Sequence, residues 1–207
     1  MGVDYFVAID RNKHWLITRF CDPETCGTTC KSFFSTALLA AGLALSTFAN
    51  AGEIADRVEQ TKTLLVGTEG TYAPFTFHDK DGKLTGFDVE IIEKVAQKLG
   101  WKVEFKETAW DGMYAGLNAK RFDVIANQTN PSPERLKKYD YSAPYNYSAG
   151  VIVTKADNDS IKSFPDLKGK KSAQSATSNW SKDARDNGAI IVTVDSLAQN
   201  LEAVKQG

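Results

Sequence analysis

Cysteine is confined to the first 30 positions of this 207-residue sequence, at Cys21, Cys26 and Cys30. From Lys31 to Gly207 there is none, which excludes a disulfide frame, a thiolate metal site and a thiol nucleophile from that stretch. The three early cysteines lack a CxxC pair and have only His14 nearby, a poor set for zinc. Histidine is as scarce, with His14 and His78 the only two. His78 stands beside Asp79 and Asp81 in a segment that reads as a solvated hairpin turn rather than an acid–base centre. No GxGxxG, phosphate loop or GxSxG occurs, so cofactor-dependent and hydrolase readings have no support. Charge of one sign is missing too: 25 Lys and Arg against 26 Asp and Glu give a net charge of -1. That balance offers no basic field for nucleic acid and no polybasic arm for a membrane surface.

What is present fits a globular protein with one sizeable core or two small lobes, at 42% hydrophobic and 25% charged residues. Lys31 precedes an apolar run from Phe33 to Ala49 that ends in the small-residue site Ala49-Asn50-Ala51. This is the layout of a secretory signal peptide, and the run is shorter than the roughly 20 apolar residues of a membrane span. Residues 31–51 are therefore expected to be cleaved, leaving a mature chain from Gly52. No cysteine follows for lipid attachment. Residues 1–30 form an atypical N-terminal extension, expected to lie upstream of a natural start near position 30.

From Gly52 onward, strand-like and helix-like periods alternate. Leu64-Leu65-Val66 before Gly67 suits a buried strand. Residues 88–99 place Ile91, Ile92, Val95 and Leu99 on one face, with Asp88 as N-cap and Gly100 as stop. Trp101, Val103 and Phe105 alternate with lysine and glutamate in the two-residue period of a strand. A helix over 111–119 with Met113 and Leu117 inward, and a strand over 122–126, complete an α/β lobe with a largely parallel sheet and right-handed crossovers. Phe75, Phe77 and Phe87 read as core. After Tyr145 the pattern restarts: a strand at 151–153, a turn at 168–171, a helix over 179–186, a strand at 190–194 and a helix from Ser196. The division is 52–145 for lobe one and 146–207 for part of a second. In such sheets ligands bind beyond the carboxyl ends of the strands, so the segments after Gly67, Lys106 and Ala126 are where a site belongs.

Those segments carry a resemblance. Gly67-Thr68-Glu69-Gly70-Thr71-Tyr72-Ala73-Pro74-Phe75-Thr76-Phe77 is followed by Asp81-Gly82-Lys83-Leu84-Thr85-Gly86-Phe87-Asp88-Val89-Glu90. Then come Trp110-Asp111-Gly112-Met113, Leu117, Arg121-Phe122-Asp123-Val124, Glu134-Arg135 and Tyr141-Ser142-Ala143-Pro144-Tyr145. In this order and spacing, over residues 63–207, the chain resembles the periplasmic polar amino-acid-binding proteins of ABC importers. The subgroup it most resembles is the cystine binders, on Trp110-Asp111-Gly112-Met113 and Asn127-Gln128. The resemblance implies a two-lobed α/β periplasmic-binding fold of type II that closes by a hinge over one amino acid and presents it to an ABC permease in the inner membrane. It implies a periplasmic, monomeric protein with no cofactor and no catalysis. The chain stops at Gly207, where the resemblance implies the rest of lobe two and an acidic residue for the ligand's ammonium. The second lobe is thus expected to be incomplete and to expose apolar surface.

The resemblance also assigns ligand-binding residues. Arg135 would hold the ligand carboxylate through a planar, two-pronged guanidinium. Tyr72 and Trp110 would sandwich its aliphatic or disulfide part. Glu69 would meet the ammonium or side chain, and Ser178 and Asn179, at a helix N-terminus, would add donors to the carboxylate. Asn127, Gln128 and Asn130 complete the set; Asn130 stands where relatives usually carry Ser or Thr, and Thr177 where they usually carry Gly. Three other readings stay open: the sensor domain of a membrane receptor, a dehydratase of cyclic acids resembling cyclohexadienyl dehydratase on the same fold, and a fragment without function.

Overall fold

The computed structural model describes residues 2–10 and 52–207. The cysteines, the apolar run and the cleavage site expected after Ala51 lie outside the described residues. Strand β1 (Gly2–Asp10) comes first, then helix α1 (Gly52–Thr61) and strand β2 (Thr63–Thr68). Short strands β3 (Thr71–Tyr72), β4 (Thr76–His78) and β5 (Leu84–Thr85) precede helix α2 (Phe87–Lys98). Next are β6 (Lys102–Glu107), α3 (Trp110–Asn118), β7 (Val124–Thr129), the one-turn helix α4 (Pro133–Leu136), β8 (Tyr139–Tyr141) and β9 (Asn146–Ala149). Beyond them lie β10 (Lys171–Gln174), α5 (Asn179–Asp186), β11 (Ile190–Thr193) and α6 (Leu197–Gln206).

The main sheet runs β6-β2-β7-β1-β8, with β9 also paired to β1. Strands β6, β2 and β7 are mutually parallel. Strand β1 runs antiparallel to β7, β8 and β9, with Ile9 opposite Val124 and Gly2 opposite Ala149. Strand β9 thereby joins this sheet from the far side of the boundary expected at 145/146. Helices cover both faces, as a parallel sheet requires. On one face Ile54, Val58, Ile92 and Ala96 from α1 and α2 pack on Leu64, Val66, Val124 and Ala126. On the other, Met113 and Leu117 from α3 pack with Phe122, Ile125 and Tyr139. Strand β7 thus serves both layers, alternate residues facing opposite ways. A second, smaller unit consists of β10 and β11, paired in parallel, with α5 and α6.

Phe122, fully buried, sets the spacing of the α3 layer. A Cβ on Gly67 of β2 would sit 2.5 Å from its ring, and one on Gly116 of α3 would sit 2.7 Å from it. Two glycines therefore make the slot into which the ring slides. Next door, the buried Asp123 carboxylate accepts from Leu65 N–H at 2.8 Å and from the Arg57 guanidinium, tying α1 to the strand ends.

Helices α2, α3 and α5 and strand β6 form where the periodicity places them, to within a residue or so. Four local expectations give way. The N-cap of α2 is Gly86, at φ +125, and Asp88 lies inside the first turn with its carboxylate buried. The strand expected at 122–126 forms at 124–129, because Phe122 is spent on the inter-layer slot. Phe87, first residue of α2, is 41% exposed and leans against Tyr145 at 6.0 Å between ring centroids. Residues 151–153 join no ladder, since no neighbouring strand meets them, and Val151 and Val153 are 78% and 54% exposed. Ile190, Val192 and Leu201 are exposed as well.

The glycine slot yields a test. Gly67→Ala should destabilise the chain by about 1–3 kcal/mol through overpacking against Phe122. The double variant Gly67→Ala/Phe122→Leu should recover part of that loss, read from urea unfolding midpoints.

Candidate ligand cleft

Strands β2, β6 and β7 are parallel, so their carboxyl ends lie on one edge of the sheet, and Thr108 N–H donates to Thr68 O at 2.9 Å to hold that edge together. The candidate residues gather beyond it. Asn127, buried at the end of β7, accepts from Glu69 N–H at 2.8 Å and from Thr68 Oγ1 at 3.2 Å, and donates to Glu69 Oε2 at 2.6 Å. The Trp110 backbone N–H, at the start of α3, also bonds the Glu69 carboxylate. Among the described residues, Glu69 is held by neutral donors. Burial pushes its pKa above the ordinary glutamate value, the bonds from Asn127 and Trp110 oppose the rise, and the charge of Asp111 adds to it.

Trp110 is buried, and its indole Nε1 has no hydrogen-bond partner among the described residues. Its ring meets Tyr114 edge-on at 5.9 Å, a helical i,i+4 pair. The Arg135 guanidinium lies over both rings, 5.3 Å from the Trp110 centroid and 4.9 Å from that of Tyr114. Helix α4 presents Arg135 after Pro133 at its first turn, with Ser132 Oγ capping by accepting Arg135 N–H at 3.2 Å. Arg135 Nη1 donates to Asn130 O at 3.0 Å and Nη2 to Thr177 O at 3.2 Å. One planar cation therefore bridges the loop after β7 and the loop after β10.

The smaller unit meets this cluster through residues 175–179. Ser178 caps α5, its Oγ accepting Ser181 N–H at 3.0 Å. Asn179 Nδ2 donates to Asn130 Oδ1. Asp111 accepts from Ala176 N–H at 3.0 Å, Thr177 N–H at 2.9 Å and Thr177 Oγ1 at 2.7 Å. Tyr72 lies in β3 at the same edge, its ring 5.2 Å from Phe75.

Gln128 is placed differently from its neighbours. Its backbone takes φ +46, the left-handed region, which costs a non-glycine residue about 1 kcal/mol. The buried Asp88 carboxylate compensates by accepting both Gln128 N–H, at 2.6 Å, and the side-chain Nε2. Gln128 Oε1 in turn accepts from Asn146 Nδ2 at 2.9 Å, and Tyr145 OH donates to Asp88 at 3.1 Å. The side chain is wholly engaged in tethering the 145–146 crossing to β7. The structure thus brings together Glu69, Trp110, Asn127, Asn130, Arg135, Ser178 and Asn179, with Tyr72 at the edge and Gln128 turned to the frame. Tyr114 and Asp111 enter the site here without a role assigned from sequence: Tyr114 has its i+4 spacing from Trp110 as a signal, whereas Asp111, part of the Trp110-Asp111-Gly112-Met113 motif, has its partners 65 and 66 positions away.

The chain is similar to known proteins over most of its described length. The profile of bacterial extracellular solute-binding proteins, family 3, matches residues 64–204. A probable amino-acid ABC transporter-binding protein of Haemophilus influenzae is 77% identical over 177 residues, 86% of this chain and 69% of that protein. The L-cystine-binding protein TcyA of Bacillus subtilis is 55% identical over 157 residues, 75% of this chain and 58% of that one. Among solved structures, the ancestral amino acid-binding protein AncCDT-1, described as a precursor of cyclohexadienyl dehydratase, aligns with TM-score 0.69 and 38% identity, covering 75% of this chain and 70% of its own. The chain thus spans roughly three-fifths to two-thirds of the length of these curated relatives.

Burial raises Asp88 to about 6 from 3.8, against the opposing bonds of Gln128 and Tyr145. A raised carboxyl favours the fold while protonated, so its contribution is full below pH 3.8 and is lost as pH rises through about 6. Two units amount to about 3 kcal/mol. Urea unfolding at pH 4.5 and 7 should show this fall, superimposed on the other titrations, in the natural chain and not in Asp88→Asn.

Proposed function

The chain belongs to the bacterial extracellular solute-binding proteins, family 3, and on that premise we propose that it captures a polar amino acid, L-cystine foremost, by closure of its two units and hands it to the permease of an ABC importer. The observation that carries this reading is the arrangement about Trp110. Its backbone N–H serves a desolvated carboxylate, Glu69, and its ring supports a fixed guanidinium, Arg135. One anion without a cationic partner among the described residues and one cation over an apolar plate match the two charges of an amino-acid zwitterion. An incoming ammonium offsets the desolvation of Glu69; an incoming carboxylate offers Arg135 acceptors better than the two backbone carbonyls it holds. The unpartnered Trp110 Nε1 supplies a further donor, and Asn130, Ser178 and Asn179 close the polar rim from both units.

In this reading Tyr72 and Trp110 line the apolar part of the cleft, where the disulfide and methylenes of cystine fit polarizable aromatic walls. Asn127 orients Glu69, and Gln128 shapes the floor through Asp88. The preference for L-cystine rests on the relatives of that name and on Trp110-Asp111-Gly112-Met113 with Asn127-Gln128. Residues 31–51 direct export, and their removal after Ala51 takes β1 with them, leaving a monomer in the periplasm that begins at Gly52. The role we read is binding: relatives this chain matches carry the names of binding proteins, and His78 is engaged with Gly70 O and Glu107.

Isothermal titration of the chain with L-cystine, arginine, glutamine and glutamate tests this. We expect saturable binding of one of them, strongest for L-cystine. Arg135→Lys keeps the charge but loses the fork, and should weaken affinity at least tenfold. Absence of binding by a folded chain would overturn the reading.

A further inference from the structure

Among the described contacts that join the two units across the cleft, Arg135, Asn130 and Asn179 belong to the proposed ligand-binding set. Asp111 does not. It lies exposed at the rim, second residue of α3, and its carboxylate accepts three hydrogen bonds from Ala176 and Thr177 at 2.7–3.0 Å. We propose that Asp111 is the clasp of the closed form, a positioning residue that sets how long the ligand stays bound without touching it. The inference rests on the functional reading above.

The chemistry suits a clasp. Two consecutive backbone amides and one hydroxyl converge on a single carboxylate, so the contact is charge-assisted and fixes the approach of the loop in more than one direction. The donors lie just before α5, and the acceptor lies in the first turn of α3, so the partial positive ends of two helices face one negative charge. Burial raises the Asp111 carboxyl, while the Thr177 hydroxyl, Thr177 N–H and Ala176 N–H more than offset it and hold the group below the ordinary aspartate value. The clasp is therefore ionised at neutral pH. It uses main-chain donors, which any residue but proline supplies at 176, and adds the Thr177 hydroxyl, which glycine at that position lacks. Because Ala176 and Thr177 adjoin Ser178 and Asn179, opening the clasp withdraws the second unit's share of the rim in one movement.

A clasp acts on escape more than on entry, since the ligand enters before the rim closes. Stopped-flow binding of L-cystine to Asp111→Ala should show dissociation faster by roughly tenfold or more with an association rate changed less than about twofold. Asp111→Asn, which keeps one accepting oxygen, should fall between. Amide hydrogen exchange of the ligand-free chain gives a readout independent of any ligand. Ala176 and Thr177 should be protected in the natural chain and lose protection in Asp111→Ala, while Val124–Thr129 keeps its own. A slowed association with unchanged dissociation would overturn the proposal, and so would retained protection at 176 and 177 in Asp111→Ala. If the natural chain binds none of the amino acids tried, the functional reading fails, and the exchange comparison alone decides whether Asp111 joins the units.

Discussion

The Asp88 carboxylate, sunk beneath the end of β7, accepts the backbone and side chain of Gln128 and the hydroxyl of Tyr145. Without an acceptor at that depth, Gln128 would have no reason to stay in the left-handed region and the chain leaving β7 would take another direction. That direction decides where Asn130 emerges, where Pro133 starts its single turn and hence where Arg135 hangs over Trp110. The same carboxylate holds Tyr145 and, through Gln128, Asn146, which fixes the exit of the chain from the first unit. One buried acid therefore orients both the loop that bears the cation and the segment that leads to the second unit. It bears the cost of its own desolvation to do so.

The cleft that results has opposite charges at its two ends and an aromatic plate between them. Trp110 links the ends covalently, since its main chain serves Glu69 and its ring serves Arg135. This economy depends on α3 starting where it does: a shift of one residue would turn the indole by about 100 degrees around the helix. The start is held by the Thr108 bond to β2 and by the packing of Met113 and Leu117 below.

Helix periodicity carried most of the fold, because α2 and α3 bury one face each and their apolar residues recur at helical spacing. Strand limits were less legible where a residue does a different job from its neighbours. Phe122 looks like the first residue of a strand but fills a slot made by Gly67, far back in sequence, and Gly116 of the preceding helix. Asp88 looks like a cap but is a buried acceptor for a residue 40 positions away. Val151-Ile152-Val153 has strand composition and no partner, and composition alone does not supply one. The same limit governs the site. A resemblance in linear order offers Arg135, Trp110 and Glu69 as candidates, whereas the engagement of Gln128 and the contacts of Asp111 arise only when the chain is folded.

Strand β1 has a consequence in time rather than in space. Its residues pair with β7, β8 and β9, Gly2 lying opposite Ala149 and Ile9 opposite Val124. More than a hundred residues of sequence separate β1 from each of these partners. Contacts of such long sequence separation raise the contact order and slow the completion of a sheet. The parallel core of β6, β2 and β7 needs residues 63–129 alone, so it stays whole in a chain from which cleavage after Ala51 has taken β1.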